Sequence, residues 1–224
     1  MKTIYRSIAP ILSVAIFPVL YFLPLIRAMV SSGLLGALTG KTDGPKTNLL
    51  TTTLGIGEYT SINDVVRMAK SGSSKFETLK SLLDNLGDDM KERLSKEFAS
   101  GRFLIAALVF FVLLVVLTLV FTVLSAVMKK HIVPLCVAGG AFASALIMNA
   151  CFNAFAKPFV TGAVSLASLL GEGTQNALLT TLLGNAVTVD YLQLSIAYTV
   201  TLFILVVIMI FTVCALVEEK LSKD

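Results

Sequence analysis

The chain has 224 residues, of which 56% are hydrophobic and 14% are charged, and its formal net charge is +4 at pH 7. Soluble domains carry about 25% charged residues, so this composition excludes an ordinary soluble domain. The small excess of positive charge lies in short segments beside apolar stretches. It therefore indicates orientation in a membrane rather than a nucleic-acid partner.

Four apolar stretches are long enough to cross a bilayer, which takes roughly 20 residues of helix. They lie at residues 8–26, 103–128, 132–155 and 194–217. The first follows a basic start, as a signal peptide does. It is longer than the apolar part of a typical signal peptide and contains three prolines. We therefore expect it to be retained as a membrane span.

The short segments on one side of these spans are basic. The basic residues of these segments are Lys2, Arg6, Lys129, Lys130, His131, Lys220 and Lys223. The positive-inside rule places such segments in the cytoplasm. We predict an integral membrane protein, in the plasma membrane, with both termini cytoplasmic. Arg27 and Lys157 lie at the opposite ends of their spans, where we expect long side chains to reach toward water.

An insertion rich in charged residues, at about 62–100, interrupts the first outer loop. Within it, residues 61–64 (SIND) and 74–77 (SKFE) have the spacing of a capping box. In that motif the Ser hydroxyl bonds the amide three residues on, and the acid bonds back to the Ser amide. With glycines at positions where helices would stop, the sequence predicts three short helices. They lie near residues 62–71, 75–86 and 89–99.

The insertion also carries an apolar stripe at helical spacing. The stripe consists of Phe76, Leu79, Leu83, Leu86, Met90, Leu94 and Phe98. One interpretation is a small helical cap folded on itself or on the outer ends of the bundle. The other is a docking face for a protein partner or for a second copy of the chain.

The second and third stretches differ in side-chain size. The second is mostly Leu, Val and Phe, and is predicted to face lipid. The third contains AGGAFASA at residues 138–145, and such small residues let helices approach closely. It is predicted to lie at the packed centre of the bundle or at a dimer contact. Asn149 and Asn153 follow, four residues apart on one helix face, and are predicted to form interhelical polar contacts.

The two halves of the chain repeat one another in the same order. IAPIL at 8–12 matches IVPLC at 132–136, and LLTTTLG at 49–55 matches LLTTLLG at 178–184. FTVLSAVMKK at 121–130 matches FTVCALVEEK at 211–220, and PLIRAMVSSGLLG at 24–36 matches PFVTGAVSLASLLG at 158–171. We predict an all-α protein of two tandem two-helix repeats, 1–130 and 131–224. Because each repeat has two spans, the copies share one orientation, with a pseudo-two-fold axis along the membrane normal.

The two LLTT segments are predicted to lie on the outer side. They are too short to span the membrane, so they are either interfacial helices or re-entrant segments, and re-entry requires burial in protein or contact with water. If both dip into the bilayer, the pseudo-two-fold brings them together at the repeat interface. The candidate residues there are Thr51, Thr52, Thr180 and Thr181.

The sequence contains no phosphate-binding loop and no nucleophile elbow, and it has a single histidine. We predict no enzymatic activity, no metal site and no cofactor. Span order resembles the topology of claudin-type tetraspan proteins, but their signature Trp and paired Cys in the first outer loop are missing here, so no residue carries over. The leading hypothesis is a scaffolding or organising membrane protein whose partners are the lipid bilayer and a protein partner or a second copy of itself. The alternative is a small channel, a transporter or a transporter subunit with its site near the LLTT segments.

Overall fold

The computed structural model describes residues 2–32, 58–70, 99–128, 130–161 and 187–221. These residues are mostly helical. The helices are α1 (Lys2–Phe22), α2 (Ile62–Lys70), α3 (Ala99–Met128), α4 (Ile132–Val160) and α5 (Ile196–Leu221). The strands are β1 (Ile26–Ser32), β2 (Tyr59–Thr60) and β3 (Val187–Leu194). Both LLTT segments and the apolar stripe of the insertion lie outside the described residues.

Three of these helices are long and apolar enough to cross a membrane. They are Gly101–Met128 within α3, Ile132–Val160 and Ile196–Leu221. Their positions agree with the second, third and fourth predicted stretches. The third runs five residues beyond its predicted end at 155, and the fourth begins two residues after its predicted start at 194. These helices indicate a membrane protein.

The first predicted span is wrong at its outer end. Helix α1 stops at Phe22, and Ile26 already belongs to strand β1. Pro24 explains the stop, because proline lacks the N–H that continues a helix and disfavours helical geometry at the residue before it. Pro10 and Pro18, by contrast, are accommodated inside the helix.

The described residues are mostly helical, as predicted, but the all-α prediction missed three strands, which form an antiparallel sheet in the order β2-β1-β3. Ile26 pairs with Leu194, and Ser32 pairs with Val187 at the other end of the ladder. A bulge interrupts the register between Met29 and Val30. The backbone of Leu25 extends this pairing through hydrogen bonds from its own N–H to Thr60 and from the Ser195 N–H to its carbonyl, each 2.9 Å long.

The chain divides into two compact units. The helical unit comprises residues 2–23, 103–151 and 196–221, and the sheet unit comprises the other described residues. Each unit draws on both predicted halves of the chain. The internal duplication therefore remains a prediction from sequence.

The first helix of the insertion forms where it was predicted, over Ile62–Lys70, and its capping box is confirmed. The Asp64 amide donates to the Ser61 hydroxyl over 3.2 Å, and the Ser61 amide donates to the Asp64 carboxylate over 3.0 Å. The Ser61 hydroxyl also donates to that carboxylate. These bonds from Ser61 lower the pKa of Asp64. The box fixes the helix start directly after strand β2.

Within the helical unit, each helix contacts two others. Helix α1 packs against α5, and Ser13 of α1 bonds Thr122 of α3. Leu114 of α3 lies 3.8 Å from the position that a Cβ on Gly140 of α4 would take. The Tyr198 hydroxyl of α5 donates to the α4 carbonyl of Ala145 over 3.2 Å. The neighbour relations thus form a ring in the order α1, α3, α4, α5.

The small residues of α4 allow close packing in this ring. Ala138, Ala141 and Ala145 have no exposed surface, as the run AGGAFASA predicts. Helix α3 behaves differently, since large apolar side chains such as Val109 and Leu113 are more than half exposed. This exposure agrees with the prediction that the second span faces lipid.

Candidate functional site

A cluster of hydroxyl groups lies at one end of the helical unit, where α3 and α5 finish and α4 begins. The cluster surrounds a small cavity. Its lining residues are Ala9, Thr122, Ser125, His131, Pro134, Thr212 and Ala215. About 10 Å³ is open to the centre of a water molecule, which is room for about one water.

Two side-chain hydrogen bonds cross between elements at this cavity. The Ser13 and Thr122 hydroxyls are 2.9 Å apart and join α1 to α3. The Ser125 hydroxyl lies 2.6 Å from Nδ1 of His131 and joins the last turns of α3 to the start of α4. His131 is only 4% exposed. This end of the bundle is therefore held together by polar contacts inside an apolar protein.

Most of these residues come from the segments that repeat in the sequence. Thr122 and Thr212 occupy the same position of the two FTV motifs, and Ser125 corresponds to Ala215. The repeated segments thus converge on one cavity. The correspondence fails at one point, because Ala215 has no hydroxyl to match the Ser125 bond to His131.

The role of His131 is not evident from the sequence. Its two lysine neighbours favour a solvated position at the membrane surface, and the structure buries it instead. The signal that could have located it is the FTV repeat, whose threonines mark the same cavity. A serine bonded to a histidine is also the arrangement of a nucleophile and its base. Here Ser125 and His131 are both more than nine-tenths buried, and the cavity admits about one water.

An apolar layer adjoins the hydroxyl cluster one to three turns further along the helices. Ile16, Leu205 and Ile208 have no exposed surface, and Val115 has 1%. These side chains come from α1, α3 and α5. Thr118 of α3 and Thr201 of α5 are buried as well, so hydroxyl groups adjoin this apolar layer on both sides.

A second polar cluster lies in the sheet unit around Arg27 of β1. The Arg27 Nε lies 2.7 Å from the Glu58 carboxylate, and the Tyr191 hydroxyl donates to the same carboxylate oxygen. The guanidinium is 5.1 Å from the ring centroid of Tyr59 and 4.7 Å from that of Tyr191. Arg27 was expected to reach toward water from the end of a span. From its position on β1, it instead contacts Glu58 and Tyr59 at β2 and Tyr191 of β3.

In this Arg27 cluster, the hydrogen bonds and the opposite charges favour the ionised forms of both Arg27 and Glu58. The Tyr191 hydroxyl and then Arg27 lower the pKa of Glu58, because both favour the ionised carboxylate. The hydrogen bond to Glu58 raises the pKa of Arg27 and also that of Tyr191. At neutral pH the cluster is thus an ion pair with a neutral tyrosine donor.

The remaining predicted site residues are placed as follows. Asn149 is half-buried on α4 and Asn153 is exposed. Neither side chain hydrogen-bonds another described residue, and their interhelical contacts stay a prediction. Thr51, Thr52, Thr180 and Thr181 lie outside the described residues, as does the docking stripe.

Comparison with protein-family models, with curated proteins and with solved structures found no match for this chain.

Proposed function

We propose that this protein is a non-enzymatic four-span membrane protein that organises or scaffolds other molecules in the plasma membrane. Its outer segments engage a protein partner or a second copy of the chain. The observation that carries the proposal is the long β1–β3 ladder. It joins the segment that follows α1 to the segment that precedes α5. Two loops that are far apart in sequence thereby form one structured unit, which is what a binding platform requires.

The fourth span of this proposal is α1. Its apolar part, Ser7–Phe22, is about 24 Å long at 1.5 Å per residue, shorter than the roughly 30 Å of the hydrocarbon core, so a span would have to use part of the basic start of α1 as well. Ala9, near its start, lines the cavity with Thr212, near the end of α5. Helix α1 therefore runs antiparallel to α5 and parallel to α4. This placement supports a retained span that puts both termini on one side.

The packing of the helical unit favours scaffolding over conduction. The layer formed by Ile16, Val115, Leu205 and Ile208 is fully buried. Such a layer is unfavourable for a hydrated ion, because its apolar side chains cannot replace the ion's water. A four-span bundle of this kind supports the outer segments and does not need a pathway through its centre.

The docking part of the proposal is tested with the full-length protein cross-linked in its native membrane. We expect a cross-linked species that disappears in the double variant Leu79→Glu, Leu83→Glu, because both substitutions put charge into the predicted docking stripe. Lys80→Glu, on another face of the same predicted helix, is the matched control and should preserve the species. Loss of the species in both variants, or in neither, would contradict docking through the stripe.

One observation favours the alternative of a channel or transporter subunit. The hydroxyls of Thr122 and Thr212 face one cavity at the helix ends, as they would in a vestibule. Cysteines placed along 49–55 and 178–184 test it with water-soluble thiol reagents in sealed vesicles. Labelling that reaches bilayer depth in both segments, together with ion flux, would favour the channel. Shallow labelling without flux is the result we expect for a scaffold.

A further inference from the structure

We propose that the Arg27 cluster of the sheet unit is a binding site for the headgroup of a zwitterionic phospholipid, in which Arg27 binds the phosphate and Glu58 binds the ammonium group. This inference goes beyond the proposed scaffolding role, because it concerns lipid and does not depend on the docking stripe. It rests on the geometry of the sheet and on α5 as a membrane helix.

The sheet has one aromatic, polar face and one mainly aliphatic face. Arg27 is paired with Tyr59 on one side and with Gln193 on the other, and Tyr191 lies two residues from Gln193 on β3. Opposed residues share a face of a sheet, and so do residues two apart on a strand. The Arg27 cluster therefore belongs to a single face. The opposite face carries Ile26, Ala28, Thr60, Leu192 and Leu194.

The face with the Arg27 cluster is the more open of the two. Tyr59 is 45% exposed, and the side chains of Arg27 and Glu58 are 36% and 35% exposed. All five residues of the aliphatic face are half-buried. A ligand can therefore reach the charged and aromatic groups without any rearrangement of the strands.

The sheet adjoins a membrane helix along the chain. Strand β3 ends at Leu194, and α5, which is long and apolar enough to cross a membrane, begins at Ile196. Gln193, opposite Arg27, is three residues from Ile196, which is roughly 10 Å of extended chain. The polar region of a bilayer is about 5 to 7 Å thick on each side, and tyrosines are enriched there. Lipid headgroups are therefore within reach of the Arg27 side chain.

The bonds within the cluster leave groups of both charges for a ligand. Arg27 binds Glu58 through its Nε, and the two outer nitrogens of a guanidinium carry four further N–H groups. Arg27 and the Tyr191 hydroxyl share one carboxylate oxygen of Glu58, and the second oxygen bonds none of the described residues. The ion pair has no net charge. An anionic headgroup would be attracted by Arg27 and repelled by Glu58, whereas a zwitterionic headgroup matches both.

The aromatic rings prepare the site. The guanidinium of Arg27 lies 5.1 Å from the ring centroid of Tyr59 and 4.7 Å from that of Tyr191, so its position is fixed before a ligand arrives. Its outer N–H groups match the oxygens of a phosphate, which arginine binds through two parallel bonds. An ammonium group beside that phosphate would meet the second oxygen of Glu58 and the exposed ring of Tyr59, and aromatic rings attract such cations.

The test uses the full-length protein in vesicles and exploits the absence of tryptophan from the chain. Tyr59→Trp places a single fluorophore in the cluster and keeps an aromatic ring there. The probe is a phospholipid with a nitroxide on its choline headgroup, added in increasing amounts to vesicles of phosphatidylglycerol. Phe103→Trp is the matched control, because Phe103 is 70% exposed near one end of α3 and meets lipids without selection.

We expect half-maximal quenching in Tyr59→Trp at a probe fraction about three to ten times lower than in Phe103→Trp, because an ionic and a cation–π contact favour the zwitterionic headgroup. Equal fractions in the two proteins would overturn the proposal. Stronger quenching by a nitroxide in the middle of the acyl chain would also overturn it, because the ring would then lie among lipid tails.

Two charge variants in the Tyr59→Trp protein separate binding from a structural role. Glu58→Gln removes the group that binds the ammonium and leaves the positive charge of Arg27. Its preference should therefore reverse toward phosphatidylglycerol. Arg27→Gln should raise the half-maximal fraction to that of the control, whereas Arg67→Gln, which removes a positive charge from an exposed position on α2, should leave it unchanged. A Glu58→Gln protein that still prefers the zwitterionic probe would refute the assignment.

A measurement without the Tyr59→Trp substitution gives an independent answer. Solid-state nuclear magnetic resonance on protein with isotope-labelled arginine, in phosphatidylcholine bilayers, detects contacts between guanidinium carbons and lipid phosphorus. One such contact should be present in the natural sequence, disappear in Arg27→Gln and persist in Arg67→Gln. A spectrum in which Arg27→Gln removes no phosphorus contact would contradict the site.

Discussion

The hydroxyl pair Ser13–Thr122 predicts a small, measurable coupling between α1 and α3. Both side chains are buried, with 0% and 2% exposure, and their oxygens are 2.9 Å apart. In Ser13→Ala the contact is lost without leaving a buried proton unsatisfied. The reason is that the Thr122 hydroxyl still donates to the Thr118 carbonyl over 2.7 Å. In Thr122→Val no buried proton is left unsatisfied either, because the Ser13 hydroxyl donates to the Pro10 carbonyl over 2.8 Å.

These local alternatives limit the size of the effect. Each hydroxyl has one proton, with two acceptors within reach of Ser13 and three within reach of Thr122, so the contact between helices competes with bonds inside each helix. Hydrogen bonds between membrane helices average about 0.6 kcal/mol in double-mutant cycles and reach about 1.7 kcal/mol. We expect a coupling of about 0.6 kcal/mol for Ser13 and Thr122. Thr118→Val is the matched control, because the Thr118 hydroxyl bonds the Leu114 carbonyl of its own helix.

The assay is reversible unfolding in mixed lipid–detergent micelles, with the four proteins of each cycle measured side by side. The Ser13 and Thr118 cycle should give a coupling near zero. A value near zero for Ser13 and Thr122 as well would refute the packing of α1 against α3 at this position. A coupling free energy above about 2 kcal/mol would refute the competition between the interhelical bond and the bonds inside each helix, because it exceeds what such a bond can contribute.

Three further predictions concern the sheet unit, the cap of α2 and the packing of α4. The pKa of Glu58 in the folded protein lies below its ordinary value of 4.5. The ionised carboxylate therefore stabilises the β1–β3 ladder above that pH, and this stabilisation is lost as the pH falls through the lowered pKa. The protection of β1 amides, taken relative to the intrinsic exchange rate at each pH, should therefore fall in acid in the wild type, whereas in Glu58→Gln it should not depend on this titration. Ser61→Ala should destabilise α2 by about 1 kcal/mol, seen as faster amide exchange confined to that helix. Gly140→Ala should be neutral or stabilising by up to about 1 kcal/mol, whereas Ala141→Leu at a fully buried position should cost about 1–3 kcal/mol in the unfolding assay.

The helices were largely predictable because their signals are local. Apolar length identified α3, α4 and α5, and the Ser61–Asp64 spacing identified both the start of α2 and its hydrogen bonds. The run of small residues at 138–145 correctly indicated close packing of α4. In each case the residues that determine the structure lie within one helix or next to it.

The sheet and the cavity were not predictable to the same degree, because they depend on residues far apart in sequence. Strand β3 does carry a local signal, since VTVDYLQL alternates and contains β-branched residues. Strand β1 has no such pattern, and its partners lie 32–34 residues away in β2 and 155–168 residues away in β3. The burial of His131 likewise depends on contacts with other helices. The sequence around it, with two lysines, favours the opposite environment.

If α1 is a fourth span, as proposed, both ends of the chain lie on one side of the membrane. The most direct measurement is the sidedness of epitope tags at the two ends of the full-length chain in sealed vesicles. With four spans, both tags should be protected, or both exposed, depending on vesicle orientation. Tags on opposite sides would mean that only the three helices α3, α4 and α5 cross the membrane, and would contradict the four-span scaffold.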